Sequence, residues 1–360
     1  MRIAQVAPLA ESVPPKLYGG TERVISWLTE ELVALGHDVT LFASGDSVTK
    51  ARLVPVVRRA IRLSRPRAEP FPAYAAQLDA IAQAATDFDI VHCHIDWVHL
   101  PLLSRLAIPH LTTFHNRLDT PDLPAVISRF RQAPLISISD HHRRPLPGAN
   151  WLGTVYHGMP INTFSPSYEP GTYLAFLGRL AREKGPEVAI RLAKAAGKPL
   201  RMAAKIPRAD TRYYKERLQP LIDGEQIKLV GELNDVAKGE MLRGASALLF
   251  PIDWPEPFGL VMIEAMACGT PVIAFRRGSV PEVIDDGVTG FIVENDDEAL
   301  SAVKRVGKLD RRQIRATFER RFTSRRMAED YVRHYVSLVS DETQRALRPG
   351  RMLNVELMSH

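Results

Sequence analysis

The chain has 360 residues, 45% hydrophobic and 24% charged, and carries a formal net charge of +6. These are the proportions of a globular protein too long for one ordinary core, so two domains are expected. They exclude a membrane span, because the most apolar segment, Leu260 to Phe275, is broken by Glu264 and by Gly269-Thr270-Pro271.

From the N-terminus, residues 2–7 read as a buried strand ending at Pro8 rather than as a signal peptide. A loop with Pro14-Pro15 and Gly19-Gly20 follows. A helix is then expected, with Thr21 as its cap and Val24, Leu28, Leu32 and Leu35 as one apolar stripe. Val39–Phe42 is the next strand, completing a βαβ unit that demands a parallel sheet. Strands continue at Ile90–Cys93, Leu111–Phe114 and Leu135–Ile138. The segment from Lys50 to Phe88 is Arg- and Pro-rich and matches no pattern. Residues 157–172 form a turn-rich linker. A second series of strands is expected at Tyr173–Leu177, Leu200–Ala204, Ile227–Val230, Ala247–Phe250, Val272–Phe275 and Gly290–Val293, with a helix from Pro186 to Ala196. Arg311 to Val339 reads as helical. Two doubly wound α/β domains therefore face each other across a cleft. Cys93 and Cys268 each sit in an apolar segment and read as buried thiols of a reducing compartment, so a cytoplasmic location is expected.

The strongest chemical signal runs from Trp254-Pro-Glu256-Pro-Phe258-Gly259 through Leu260 and Val261 to Glu264. A helix opening at Gly259 offers free backbone N–H groups to an anion, and glycine removes a side chain from its approach. Glu256 before the helix and Glu264 about a turn inside it can each accept vicinal hydroxyls. The plainer reading makes Glu256 a helix cap and Glu264 a solvated residue, but Glu264 lies in a strongly apolar helix, where a carboxylate needs partners or a ligand. A second loop, Gly178-Arg179 to Lys184-Gly185, offers a guanidinium fork and an ammonium for a departing diphosphate. Its plainer reading pairs these cations with Glu183 or Glu187.

Together with Tyr18-Gly-Gly-Thr-Glu-Arg23, Thr113-Phe-His115-Asn116 and Gly278-Ser-Val-Pro-Glu282, these motifs resemble family 4 retaining glycosyltransferases, in the family's order across residues 1–330. The resemblance implies the GT-B fold: an acceptor-side Rossmann-like domain at 1–160, a donor domain at 161–325, a helix at 326–340 packing back on the first domain, and a flexible tail at 341–360. It implies transfer of a hexosyl group from a nucleoside diphosphate sugar, UDP-glucose first and GDP-mannose second, to an acceptor hydroxyl. Arg179 and Lys184 hold the diphosphate with the backbone of Gly259, Leu260 and Val261. Phe258 belongs to the same motif, Glu256 contacts the sugar and Glu264 the ribose. Gly19 and Gly20 face the phosphates, and His115 meets the transferred sugar. Tyr18, Asp96 and Asn116 are acceptor-side candidates. No metal or other cofactor is implied.

Rival readings are weaker. A metal-dependent hydrolase using His92, His94 and Asp96 lacks the residues for a second metal shell. An oxidoreductase lacks a glycine fingerprint directly after the first strand. A nucleotide-sugar epimerase or phosphorylase shares the architecture but fits the motifs less well. Nucleic acid is not expected, since no aromatic residues interleave the basic stretches. Arg58 to Arg67, with Val56, Val57, Ala60, Ile61 and Leu63, is a candidate basic amphipathic segment for weak membrane contact.

Overall fold

The structure, a computed structural model, describes residues 1–16, 19–64 and 69–347. Tyr18, Arg65, Arg67 and residues 348–360 lie outside the described residues.

Among the described residues thirteen strands form two sheets. The first holds β1 (Arg2–Val6), β2 (Asp38–Ser44), β3 (Arg52–Val57), β4 (Ile90–Cys93), β5 (His110–Thr113), β6 (Leu135–Ser137) and β7 (Trp151–Thr154), in the order β3-β2-β1-β4-β5-β6-β7. The second holds β8 (Tyr173–Arg179), β9 (Leu200–Lys205), β10 (Ile227–Gly231), β11 (Ala245–Phe250), β12 (Val272–Phe275) and β13 (Gly290–Val293), in the order β10-β9-β8-β11-β12-β13. Every pairing is parallel. Helices cover both faces, which is why Ile3, Ala4 and Val6 can all be fully buried along one strand. Each chain segment winds outward from its first strand and then crosses to the other side. The switch points therefore fall between β1 and β4 and between β8 and β11, where ligands of such sheets bind.

Three local expectations are corrected. Thr21 does not cap the first helix; the Gly20–Ala34 helix begins after Gly19, with no side-chain cap. The segment from Lys50 to Phe88 holds an edge strand, β3, and the Pro70–Ala84 helix. Pro55 is tolerated there because an edge strand need not donate on its outer side. The C-terminal run is two helices, Arg311–Arg321 and Ser324–Leu347, separated at Phe322-Thr323.

That break lets the chain return. Met327, Ala328, Tyr331 and Tyr335 of the last helix pack with Ile3, Val24, Leu28 and Ile90 of the first domain. Two arginines of the helix before it are buried. Arg311 donates to the carbonyls of Ser167, Ala245 and Arg243, and Arg315 to those of Ile161, Phe164 and Ala267. These two buried guanidinium groups tie the linker to the second domain. The candidate amphipathic segment is not an α-helix in its described part: Val56 and Val57 end β3, and with Ile61 they pack against Leu9, Ala73 and Tyr74. Among the described residues no helix is long and apolar enough to cross a membrane. Both cysteines are free and buried, and burial pushes the Cys268 thiol up to about 12.

Candidate active site

The two domains enclose a cleft of about 920 Å³ at the switch points. Every described residue singled out above as a donor, sugar or acceptor contact borders it.

On the second domain, β8 ends at Arg179 and the chain turns through Lys184 into the Pro186–Ala195 helix. Gly185 makes this turn possible: its φ is +68, and an added Cβ would lie 2.0 Å from the Pro251 carbonyl oxygen. The loop after β11 is thus pressed against the loop after β8. Lys184 Nζ consequently meets Glu256 Oε2 at 2.6 Å, across 72 residues of sequence. Both side chains are largely buried, at 15% and 11% exposure. Trp254 Nε1 donates to the same oxygen at 2.7 Å. Arg179 NH2 donates to Glu183 at 3.1 Å, so the plainer pairing holds for that group, while Glu187 pairs with Arg217. The Arg179 Nε–H is different: it is shut from solvent with no acceptor among the described residues. A buried donor left in this state costs roughly 1–3 kcal/mol until an acceptor arrives.

The helix Leu260–Ala267 opens after Gly259, whose φ of +80 lies in the left-handed region that favours glycine and strains residues with a Cβ. No side chain caps this start, which leaves its first N–H groups facing the cleft. Phe258 borders the cleft but spends its ring on Tyr156, His157 and Phe322. Glu264 is 5% exposed, so the solvated reading is wrong. Its burial is nonetheless met by protein, because Lys238 Nζ lies 2.6 Å from Oε1. Lys238 continues to Asp235 at 3.2 Å, and Asp235 to Arg23 of the opposite domain at 2.7 Å. A chain of four charges thereby spans the cleft. Sequence reasoning missed Lys238 and Asp235; the only available signal was that a buried Glu264 required a cation.

On the first domain, Gly19 and Gly20 start the first helix. An added Cβ at Gly19 would strike Pro15 at 2.8 Å, and one at Gly20 would touch Leu260 across the cleft at 3.6 Å. Glu22 follows, buried, and desolvation raises its pKa against the pull of Arg62. Asp96 stands at φ 51, unusual for a non-glycine residue, with its carboxylate held by Asn116 at 3.0 Å. Burial raises its pKa as well. His115 donates to or accepts from His94 Nδ1 at 2.9 Å and stacks on His157. Desolvation, aided by His142, holds it down to about 3, so the ring is neutral near pH 7.

The hydrolase rival does not survive this geometry. Both ring nitrogens of His92 are taken, by Tyr335 at 2.7 Å and Thr113 at 2.8 Å, and both of His94, by His115 and Gln5 at 2.9 Å each. Among the described residues no group of three or more His, Cys, Asp or Glu is placed to hold a metal ion.

Two facing doubly wound domains, with helix-start and cationic loops on one and a polar wall on the other, define a glycosyltransferase of the GT-B type. Residues 18–152 match the family described as Glycosyltransferase Family 4, and residues 161–318 match Glycosyl transferases group 1. The chain belongs to the family 4 glycosyltransferases. It is similar to phosphatidyl-myo-inositol mannosyltransferase of Mycolicibacterium smegmatis, 27% identical over 363 residues that cover 90% of this chain and 89% of that protein. It is also similar to D-inositol 3-phosphate glycosyltransferase of Kribbella flavida, 27% identical over 79% of this chain and 82% of that protein. Among solved structures, AviGT4, a glycosyltransferase involved in avilamycin A biosynthesis, aligns with a TM-score of 0.75 at 22% identity, covering 94% of this chain and 98% of that one. Sucrose-phosphate synthase from Thermosynechococcus elongatus aligns with a TM-score of 0.76 at 19% identity, covering 95% and 100%. These structures share the fold.

Proposed function

We propose that the enzyme transfers a hexosyl group from a nucleoside diphosphate sugar to an acceptor hydroxyl, with retention at the anomeric carbon. The observation that carries this reading is the convergence of Lys184, the partnerless Arg179 Nε–H and the uncapped helix start on one end of the cleft. Fixed positive charge of this kind stabilises a departing diphosphate. Glu264 then receives the ribose, exchanging part of its contact with Lys238, and Glu256 receives the sugar. His115, as a neutral ring, offers a hydrogen bond rather than charge. Because Glu256 is held by Lys184 and Trp254, it acts as a hydroxyl acceptor and not as a nucleophile. Retention follows from attack on the face the leaving group vacates. The donor is UDP-glucose or GDP-mannose; the mannosyltransferase name of one relative supports the second.

The acceptor enters on the first domain, where Glu22, Arg62, Tyr74 and Asp96 border the cleft. The names of both relatives suggest an inositol-bearing acceptor, and Arg62 is an exposed cation on that wall.

Arg179→Ala is expected to lower donor turnover roughly ten- to a hundredfold, the scale of one charge-assisted hydrogen bond. Nucleoside diphosphate release from the donor measures this. Because the leaving group is neutralised by side chains, turnover is also expected to persist in excess EDTA; its abolition there would show that a metal supplies that charge.

A further inference from the structure

Trp254 makes contacts beyond its hydrogen bond to Glu256. Glu256 Oε2 receives two protons, from Lys184 Nζ at 2.6 Å and from Trp254 Nε1 at 2.7 Å. A carboxylate oxygen has two lone-pair sites, so Oε2 is full. Oε1 makes no hydrogen bond to the protein among the described residues, and it is not one of the buried atoms lacking a partner. It is therefore the oxygen open to the cleft. Two cations also lie over the indole ring. Lys184 Nζ lies 4.3 Å from the ring centroid, and the Arg117 guanidinium of the opposite domain lies 5.4 Å from it. Cations over an indole face are held by its quadrupole, so the ring cannot turn without losing both contacts.

We propose that Trp254 is a positioning residue that makes Glu256 a receptor for a single sugar hydroxyl. With Lys184 it saturates Oε2 and leaves Oε1 alone to accept. An unrestrained carboxylate grips two vicinal hydroxyls and tolerates several arrangements of them. One oxygen at a fixed place accepts from one carbon in one configuration. Trp254 thereby sets selectivity among donor sugars without touching the nucleotide. This inference rests on the donor-site reading above.

Trp254→Phe keeps an aromatic ring beneath Lys184 and removes the N–H. The full chain and this variant are titrated calorimetrically with UDP, UDP-glucose and UDP-galactose, and with GDP and GDP-mannose. Affinity for the bare diphosphate that binds is expected to stay within about twofold, while affinity for its sugar falls about tenfold. The preference between the epimers UDP-glucose and UDP-galactose is expected to narrow if the uridine donor is the one bound. Trp254→His, which restores a ring N–H, is expected to recover part of the sugar affinity. Equal loss for diphosphate and nucleotide sugar overturns the proposal, as does no change in either. Should neither UDP nor GDP bind the unaltered chain, the donor-site reading itself fails.

Discussion

Lys184→Ala is expected to cut donor turnover about a hundred- to a thousandfold, more than any other single change in the cleft. Two losses coincide in this variant. The ammonium that faces the departing diphosphate is gone, and Glu256 keeps only Trp254 as a partner in a largely buried place. Removing one member of a buried pair costs about 3–5 kcal/mol because the other charge is left uncompensated. Lys184→Arg is not expected to restore full activity, since the planar fork does not reproduce a point charge beneath which an indole lies. The double variant Lys184→Ala, Glu256→Ala should fall well short of the sum of the single effects. Strict additivity in nucleoside diphosphate release would show that the two residues act separately.

The second large effect is loss of stability in mild acid. His99 and His142 are buried, and desolvation holds them down to about 3 and about 4. The buried His92, His94 and His157 are shifted the same way by the same cause. In the unfolded chain each takes a proton near its ordinary value of 6.5. The unfolded state thus binds protons that the folded state refuses. The associated stability is fully present above pH 6.5 and declines as pH falls toward 4, at roughly 1.4 kcal/mol per pH unit for each histidine. His99 and His142 alone are expected to remove about 4 kcal/mol between pH 7 and pH 5, a large share of an ordinary domain's stability. Urea denaturation at pH 7, 6 and 5 reads this directly. His142→Gln should flatten the slope by about one proton, and an unchanged midpoint from pH 7 to pH 5 would contradict the assignment.

Much of the architecture was legible because it rests on short-range pattern. The stripe Val24, Leu28, Leu32 and the apolar runs such as Val272–Phe275 have periods that only one element satisfies, so most strands fall where they were expected. β3 escaped notice because arginines and Pro55 hide an edge strand whose apolar residues Leu53, Val54, Val56 and Val57 are only partly buried, at the borders of the core. The break at Phe322-Thr323 carries no glycine or proline to mark it; it comes from the Thr323 bridge to Met159, a tertiary event. The same division applies to the cleft. Glu256, Glu264, Arg179 and Lys184 announced themselves through loop position and spacing. Apart from the nearby Arg179–Glu183 pair, their partners did not, because Lys238 meets Glu264 across 26 residues and Lys184 meets Glu256 across 72. Glu256 was read as a clamp for two hydroxyls, and only the shared contact of Lys184 and Trp254 with Oε2 shows that one oxygen is already occupied. His115 was expected to meet the transferred sugar; that burial keeps its ring neutral is visible only in the fold.

A donor site in the second domain requires that this cleft bind a nucleoside diphosphate sugar there. Thermal unfolding of the full chain in a panel of nucleotide sugars measures it, since a ligand at a hundred times its Kd adds about 2.7 kcal/mol to the folded state. One donor is expected to raise Tm in the unaltered chain and to lose most of that shift in Arg179→Ala and in Glu264→Ala. A panel that shifts nothing, or a shift that both variants retain in full, would contradict the placement of the donor in this site.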